Sequence, residues 1–311
     1  MTQAGIQGIW PALLTPLAPD LSIDQAALTA HVHGLLRAGC GGVTPFGTTG
    51  EGPSFSVAER RAAVDALVAG NVPAERILVS ASAAALPDVI SLVRHAQDVG
   101  AWGVLLMPPF FFKGVADAGI VDFYRRVFDA TADRPLRVVL YHLPQVAGVG
   151  LTSDIIATLL ARYPQRVVAV KDSAGQRAAS LAWAAAFMES GDAPIGVHVG
   201  HEPDLPSLAR RGSGGAVSGL ANFLPSAVHR LVAEPDSASA ARNLADIERL
   251  LSALGGHALI PALKGIMAQR TGNAGWLRVR PPLVALDAEG AQFLESLAPL
   301  LDALEPAGGR A

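Results

Sequence analysis

The chain has 311 residues, half of them hydrophobic and 16% charged, with a formal net charge of −3. That length supports one large core, and the charge balance offers neither the basic surface that nucleic acid requires nor a polybasic membrane patch. The opening Met1-Thr2-Gln3-Ala4-Gly5 lacks the regions of a secretion signal, and Pro or charge interrupts every apolar run before about 18 residues, so a soluble, cytoplasmic protein is expected.

In chain order, short apolar runs rich in β-formers alternate with amphipathic stretches. Strands are predicted near 9–15, 42–46, 77–82, 103–107, 137–142, 166–171, 195–200 and 215–219. Helix starts are signalled by Ser22-x-x-Gln25, by Ser56-x-x-Glu59 and by Thr152 before Asp154, each a side-chain oxygen placed to cap free amides. Three helix-to-strand junctions share one spelling, Gly39-x-x-Gly42, Gly100-x-x-Gly103 and Gly212-x-x-Gly215, with glycine supplying a left-handed terminus. The lone Cys40, set among these glycines, reads as a small residue in a tight turn. His31 and His33 fall in a helix and read as structural.

Apolar strands that each precede a helix imply a parallel sheet covered on its outer face, and the repeat suits a closed (β/α)8 barrel of the α/β class. An open doubly wound sheet is the alternative, disfavoured because no strand leads into a Gly-x-Gly-x-x-Gly or P-loop sequence. From Leu224 to about Leu304 the pattern is helical with only Pro and Gly breaks. The expected organisation is a barrel over 1–222 carrying the site, with a helical region over 223–311 packed beside it.

In such a barrel the chemistry belongs at the C-terminal ends of the strands. Lys171 closes the apolar run Val167-Val168-Ala169-Val170 and precedes the turn Asp172-Ser173-Ala174-Gly175. Burying an ammonium favours its neutral, nucleophilic form, which condenses with ketones. Gly47-Thr48-Thr49-Gly50-Glu51 follows the second strand, its glycines letting amides and hydroxyls converge on a carboxylate. Tyr141-His142-Leu143-Pro144 follows the fifth, and Gly200-His201-Glu202-Pro203-Asp204 the seventh. An amine for a ketone, a phenol for proton transfer and a nest for a carboxylate together suit a 2-oxo acid.

These segments, with Ala12-Leu13-Leu14-Thr15-Pro16, Pro108-Pro109-Phe110-Phe111 and Gly215-Ala216-Val217-Ser218-Gly219-Leu220-Ala221-Asn222, resemble the dihydrodipicolinate synthase / N-acetylneuraminate lyase family of class I aldolases. The resemblance implies a (β/α)8 barrel with C-terminal helices in a homotetramer or dimer, acting on a small 2-oxo acid without metal or other cofactor. It makes Lys171 the Schiff-base lysine and Tyr141 the proton-shuttling phenol. Thr48 and Thr49 become the binders of the pyruvoyl carboxylate, Thr49 also belonging to the catalytic set, with Gly47 and Val217 as further substrate-binding residues.

Two departures bear on the substrate. Where the synthases present an arginine after the Tyr-x-x-Pro tetrad, this chain has Val146; where they place a tyrosine that reaches across a dimer, it has Phe111, which cannot pass a proton. The expected activity is therefore an aldolase or dehydratase of a 2-keto-3-deoxy sugar acid, with 4-hydroxy-tetrahydrodipicolinate synthase and N-acetylneuraminate lyase as alternatives. Phe110, Phe111 and Phe112 suit core or dimer packing, or the wall of an apolar pocket. Two other classes remain: a metal-dependent barrel enzyme using His142, His198, His201, Glu202 and Asp204, and a catalytically silent ligand-binding module.

Overall fold

The structure, a computed structural model, describes residues 5–189 and 194–306. Its strands and helices alternate: β1 (Gly8–Pro11), α1 (Gln25–Arg37), α2 (Val57–Ala69), β2 (Leu78–Ser80), α3 (Leu86–Asp98), β3 (Gly103–Leu106), α4 (Asp117–Ala130) and β4 (Val138–His142). Then follow α5 (Pro144–Ala147), α6 (Ser153–Arg162), β5 (Val167–Asp172), α7 (Arg177–Trp183), β6 (Gly196–Val199), α8 (Leu205–Ala209), β7 (Gly215–Ser218) and α9 (Pro225–Ala233). The chain ends in α10 (Ala238–Leu254), α11 (Leu259–Thr271), α12 (Ala288–Ser296) and α13 (Ala298–Leu304).

All pairings between named strands are parallel. β2 through β6 form one sheet in sequence order, and β1 pairs with β7. The strand predicted at 42–46 is reduced to two parallel bridges, Ala12 to Thr44 and Val43 to Ile77, which join β1 to β2. Its register is fixed by Gly41 and Gly42: a Cβ on either would collide with Trp10. Between β6 and β7 the His198 ring bridges the staves, Nδ1 donating to the Gly215 carbonyl at 2.9 Å. The result is a closed barrel.

Strand alternation divides the core in two. Trp10, Leu78, Leu105, Val139, Tyr141, Ala169 and Val217 pack inside the barrel, while Val104, Leu106, Val138, Val170, Val197 and Ala216 face the helices. α9 packs against β1 as well as β7, completing the outer ring. The Ser56 capping box and the Thr152 cap form as the sequence indicates. The first helix is capped by Asp24 rather than Ser22: Asp24 accepts from Ala27 N at 2.9 Å, while Ser22 is held by Asp20 in the preceding turn. Residues 278–287, predicted helical, form an irregular connection, because Arg280 reaches back to the Leu21 and Ser54 carbonyls and to Glu59. Among the described residues no single helix is long and apolar enough to cross a membrane.

Candidate active site

Tyr141 on β4 and Lys171 on β5 are register partners, so both side chains project from neighbouring strands into the mouth of the barrel. Both are buried, and Lys171 Nζ lies 4.3 Å from the centroid of the Tyr141 ring. The chain has three lysines. Lys264 is paired with Glu51 and Lys113 donates to the Phe110 and Ala147 carbonyls, whereas Lys171 has no ion pair among the described residues. Gly200 makes room for it, since a Cβ there would stand 2.9 Å from Lys171 Cε and would strike Ser173 Oγ.

The tyrosine leads to the turn that carries the two threonines. Thr48 Oγ1 lies 3.4 Å from the Tyr141 hydroxyl. The turn that carries Thr48 and Thr49 is closed by Glu51 N to Thr48 O at 3.1 Å and Gly52 N to Gly47 O at 3.0 Å, and Thr15 Oγ1 donates to Gly50 O at 2.9 Å. Among the described residues the Thr48 and Thr49 amides have no backbone acceptor, leaving two donors for an anion. Non-glycine residues in left-handed conformation bracket the turn, Phe46 at φ 61° and Glu51 at φ 57°. Such strain costs about 1–3 kcal/mol per residue and persists only where surroundings enforce it. Phe46 is held edge-on against Phe55, and the buried Glu51 carboxylate is held by Lys264 Nζ at 2.6 Å and Arg280 N at 3.2 Å. The Glu51 to Lys264 pair spans 213 positions and was not foreseen in the sequence, because no local pattern encodes so distant a partner. Burial draws the Lys264 ammonium below its ordinary range, with Glu51 opposing that shift.

The remaining candidates separate. Val217 is buried inside the barrel, in the same cluster as Tyr141, and Gly219 beyond it sits opposite Thr49, a Cβ there lying 3.5 Å from Thr49 Oγ1. His198 is buried in the wall between Ser213 and Gly215. His201 lies past the strand end, where its Nδ1 meets Asp204 Oδ2 at 3.0 Å, and Arg177 Nε holds the other Asp204 oxygen at 2.6 Å. Glu202 accepts from Ser218 Oγ at 2.6 Å and from Leu220 N. His142 Nδ1 accepts from Leu151 N at 2.9 Å and its ring packs edge-on against Trp183; desolvation lowers its pKa, opposed by the Asp172 charge. Of the five residues considered as metal ligands only His201 and Asp204 meet, and among the described residues no cluster of three or more is arranged for a metal ion. Phe110 packs against the barrel interior, while Phe111 is 71% and Phe112 73% exposed and Val146 is exposed as well. Arg177 escaped the sequence reading of the site, while Ser173 and Gly200 were read there only as parts of strand-end segments, with no role given to either.

A closed parallel barrel with a buried lysine, a phenol and a turn with two unengaged amides at its mouth is the architecture of a barrel lyase. The comparisons give the family. Residues 5–299 match the model of the dihydrodipicolinate synthetase family, and the chain belongs to that family. It is 33% identical over 298 residues to an uncharacterized DapA-like lyase of Chloroflexus aurantiacus, covering 93% of this chain and 95% of the relative. To the 4-hydroxy-tetrahydrodipicolinate synthase of Methanothrix thermoacetophila it is 33% identical over 229 residues, 73% of either protein. The crystal structure of dihydrodipicolinate synthase from Agrobacterium tumefaciens superposes with a TM-score of 0.88 at 32% identity, covering 96% of this chain and all of that one. The protein is therefore an enzyme, a class I aldolase or lyase of this family.

Proposed function

We propose that the protein forms a Schiff base between Lys171 and a 2-oxo acid, and that its substrate is a 2-keto-3-deoxy sugar acid, cleaved or dehydrated. The observation that carries this reading is the buried, unpaired Lys171 amine beside Tyr141, whose hydroxyl leads to Thr48. Neutral Lys171 adds to C2, and loss of water gives a protonated imine. The Thr48 and Thr49 hydroxyls and amides hold the carboxylate, with Gly47 giving the backbone its approach and Val217 forming the apolar floor. In cleavage, Tyr141 takes the proton of the C4 hydroxyl, the C3–C4 bond breaks, and its electron pair moves into the iminium as an enamine. Protonation at C3 and hydrolysis release pyruvate and restore the amine. In dehydration the C3 proton is lost and the C4 hydroxyl leaves as water. The exposed, polar His201 and Arg177 at the rim suit a hydroxylated tail.

A second reading, 4-hydroxy-tetrahydrodipicolinate synthase, is favoured by the names of the relatives. Against it stand Val146, which offers no cation to the semialdehyde carboxylate, and Phe111, which has no hydroxyl for the relay. A lost charged hydrogen bond alone is worth roughly 1.5–3 kcal/mol. We further propose a cytoplasmic homotetramer or dimer, in which the exposed Phe111, Phe112 and Val115 are covered by another subunit.

Borohydride reduction with pyruvate should add one adduct per chain, at Lys171, and Lys171→Arg should abolish both adduct and turnover because guanidinium stays protonated. An adduct mapped to Lys113 or Lys264 would overturn the assignment. Assay against 2-keto-3-deoxy acids, sialic acid, and pyruvate with aspartate semialdehyde then decides the substrate. A kcat/KM above about 10⁴ per molar per second with the semialdehyde would replace the first reading by the second.

A further inference from the structure

Away from the barrel mouth, a cavity of about 480 Å³ lies between α1, α11, the turn after β7 and the segment that follows α13. Its volume falls in the ordinary range for small-molecule sites, roughly 300–1,000 Å³, and its wall is mainly apolar, with Ala30, Phe223, Met267 and Trp276 around the single imidazole of His31. The charged groups around it are already engaged or at its edge. The Glu305 carboxylate caps α9 through Ser226 and Ala227, Arg270 donates to the Leu301 and Glu305 carbonyls, and Arg37 stands exposed. Such a wall favours a neutral occupant.

The hydrogen bonds of Asn222 fix which proton His31 carries. Asn222 Nδ2 donates to Ala12 O at 2.8 Å and to Gly219 O at 2.9 Å, and Oδ1 accepts from Leu14 N at 3.0 Å. It is therefore the amide oxygen that faces His31 Nε2 at 3.1 Å. An amide oxygen cannot donate, so Nε2 carries the hydrogen and Nδ1 of the neutral ring is left as an acceptor. Burial keeps that ring neutral, lowering its pKa to about 4. The ring is locked edge-on against Trp276, centroids 5.1 Å apart, and among the described residues nothing donates to Nδ1. A rigid acceptor in an apolar hollow selects a donor-bearing ring.

We propose that this cavity binds a neutral, ring-containing small molecule with one hydrogen-bond donor, of the phenol or indole type, its ring against Trp276 and Met267 and its donor on His31 Nδ1. The probe is 4-bromophenol, with bromobenzene as the control that lacks the donor. In crystals soaked with 4-bromophenol, anomalous scattering should place bromine inside the cavity; bromine found only elsewhere overturns the proposal. In solution 4-bromophenol should bind saturably below about 10 mM, and weaker binding counts against the site. Gly34 lines the cavity and a Cβ on it would meet no atom within 4 Å, so Gly34→Leu can begin a side chain there that occupies the cavity and should weaken binding at least tenfold. His31→Phe should weaken 4-bromophenol about tenfold while leaving bromobenzene unchanged, and an equal loss for both ligands would exclude the hydrogen bond. Pyruvate trapping should be unaltered in both variants, which checks their folding.

Discussion

Lys171 and Tyr141 meet because two parallel strands are in register at that point, and the register depends on an irregularity three residues earlier. β4 and β5 slip by one between Val138 and Val139, after which Val139, Leu140 and Tyr141 oppose Ala169, Val170 and Lys171. A one-residue slip would turn either side chain to the other face of the sheet. Tyr141→Phe keeps the ring beside the amine and removes only the hydroxyl, so turnover should fall roughly 10²- to 10⁴-fold, as for other positioned acid–base groups. Activity within about threefold of the wild type would move the proton to another group. Lys171, Tyr141 and the two threonines were legible in the sequence, since each follows an apolar run and stands in a recognisable segment. The reason the amine has room was not legible. Gly200 lies 29 positions on, and only the folded barrel shows that any side chain there would press on Lys171 Cε.

At the scale of elements, the turn that carries Thr48 and Thr49 is a strained piece held from two sides. Phe46 and Glu51 supply its left-handed corners, and α11 supplies the ammonium that makes a buried carboxylate tolerable at the second. Removing one partner of such a pair leaves an uncompensated buried charge, at a cost of about 3–5 kcal/mol. Lys264→Met should therefore lower the urea midpoint strongly and raise KM for pyruvate, and adding Glu51→Gln should recover part of both losses. A single variant as stable as the wild type would show that the pair does not hold the turn. Local signals located the elements better than their ends. Ser56 and Glu59 form the box their spacing indicates, because both halves are contiguous. Ser22 lost its role to Asp24, two residues nearer the helix, because an aspartate two positions upstream had already engaged it. The stretch 278–287 misled for a different reason: Arg280 is extracted from any helix by carbonyls and a carboxylate more than 200 positions earlier.

Over the whole molecule, two desolvated imidazoles, the buried His198 and the partly buried His31, contribute to the response to acid. Desolvation lowers the pKa of both His31 and His198 from 6.5 to about 4, with hydrogen bonds to Asn222 and Gly215 opposing it. The unfolded chain then binds more protons than the folded one between these values, so stability is complete above about pH 6.5 and declines toward pH 4. Each histidine contributes on the order of 3 kcal/mol to that decline. Glu59, held down to about 2 by Arg280, adds a further loss of the same sign below its ordinary range. Urea midpoints at pH 7 and pH 4.5 test this, and equal values would show that the rings protonate without unfolding. The exposed Phe111 and Phe112 rings carry the proposed assembly, each worth roughly 1.5–3 kcal/mol when covered. Phe112→Asp should shift sedimentation toward smaller species, and an unchanged profile would leave the patch without that role. The Glu51 to Lys264 pair also has a consequence during synthesis. A ribosome releases the threonine turn long before α11, and until that helix emerges the Glu51 carboxylate has no ammonium to be buried with. The threonine turn is therefore completed only after α11 has been made, so a chain terminated before α11 should be unable to capture pyruvate.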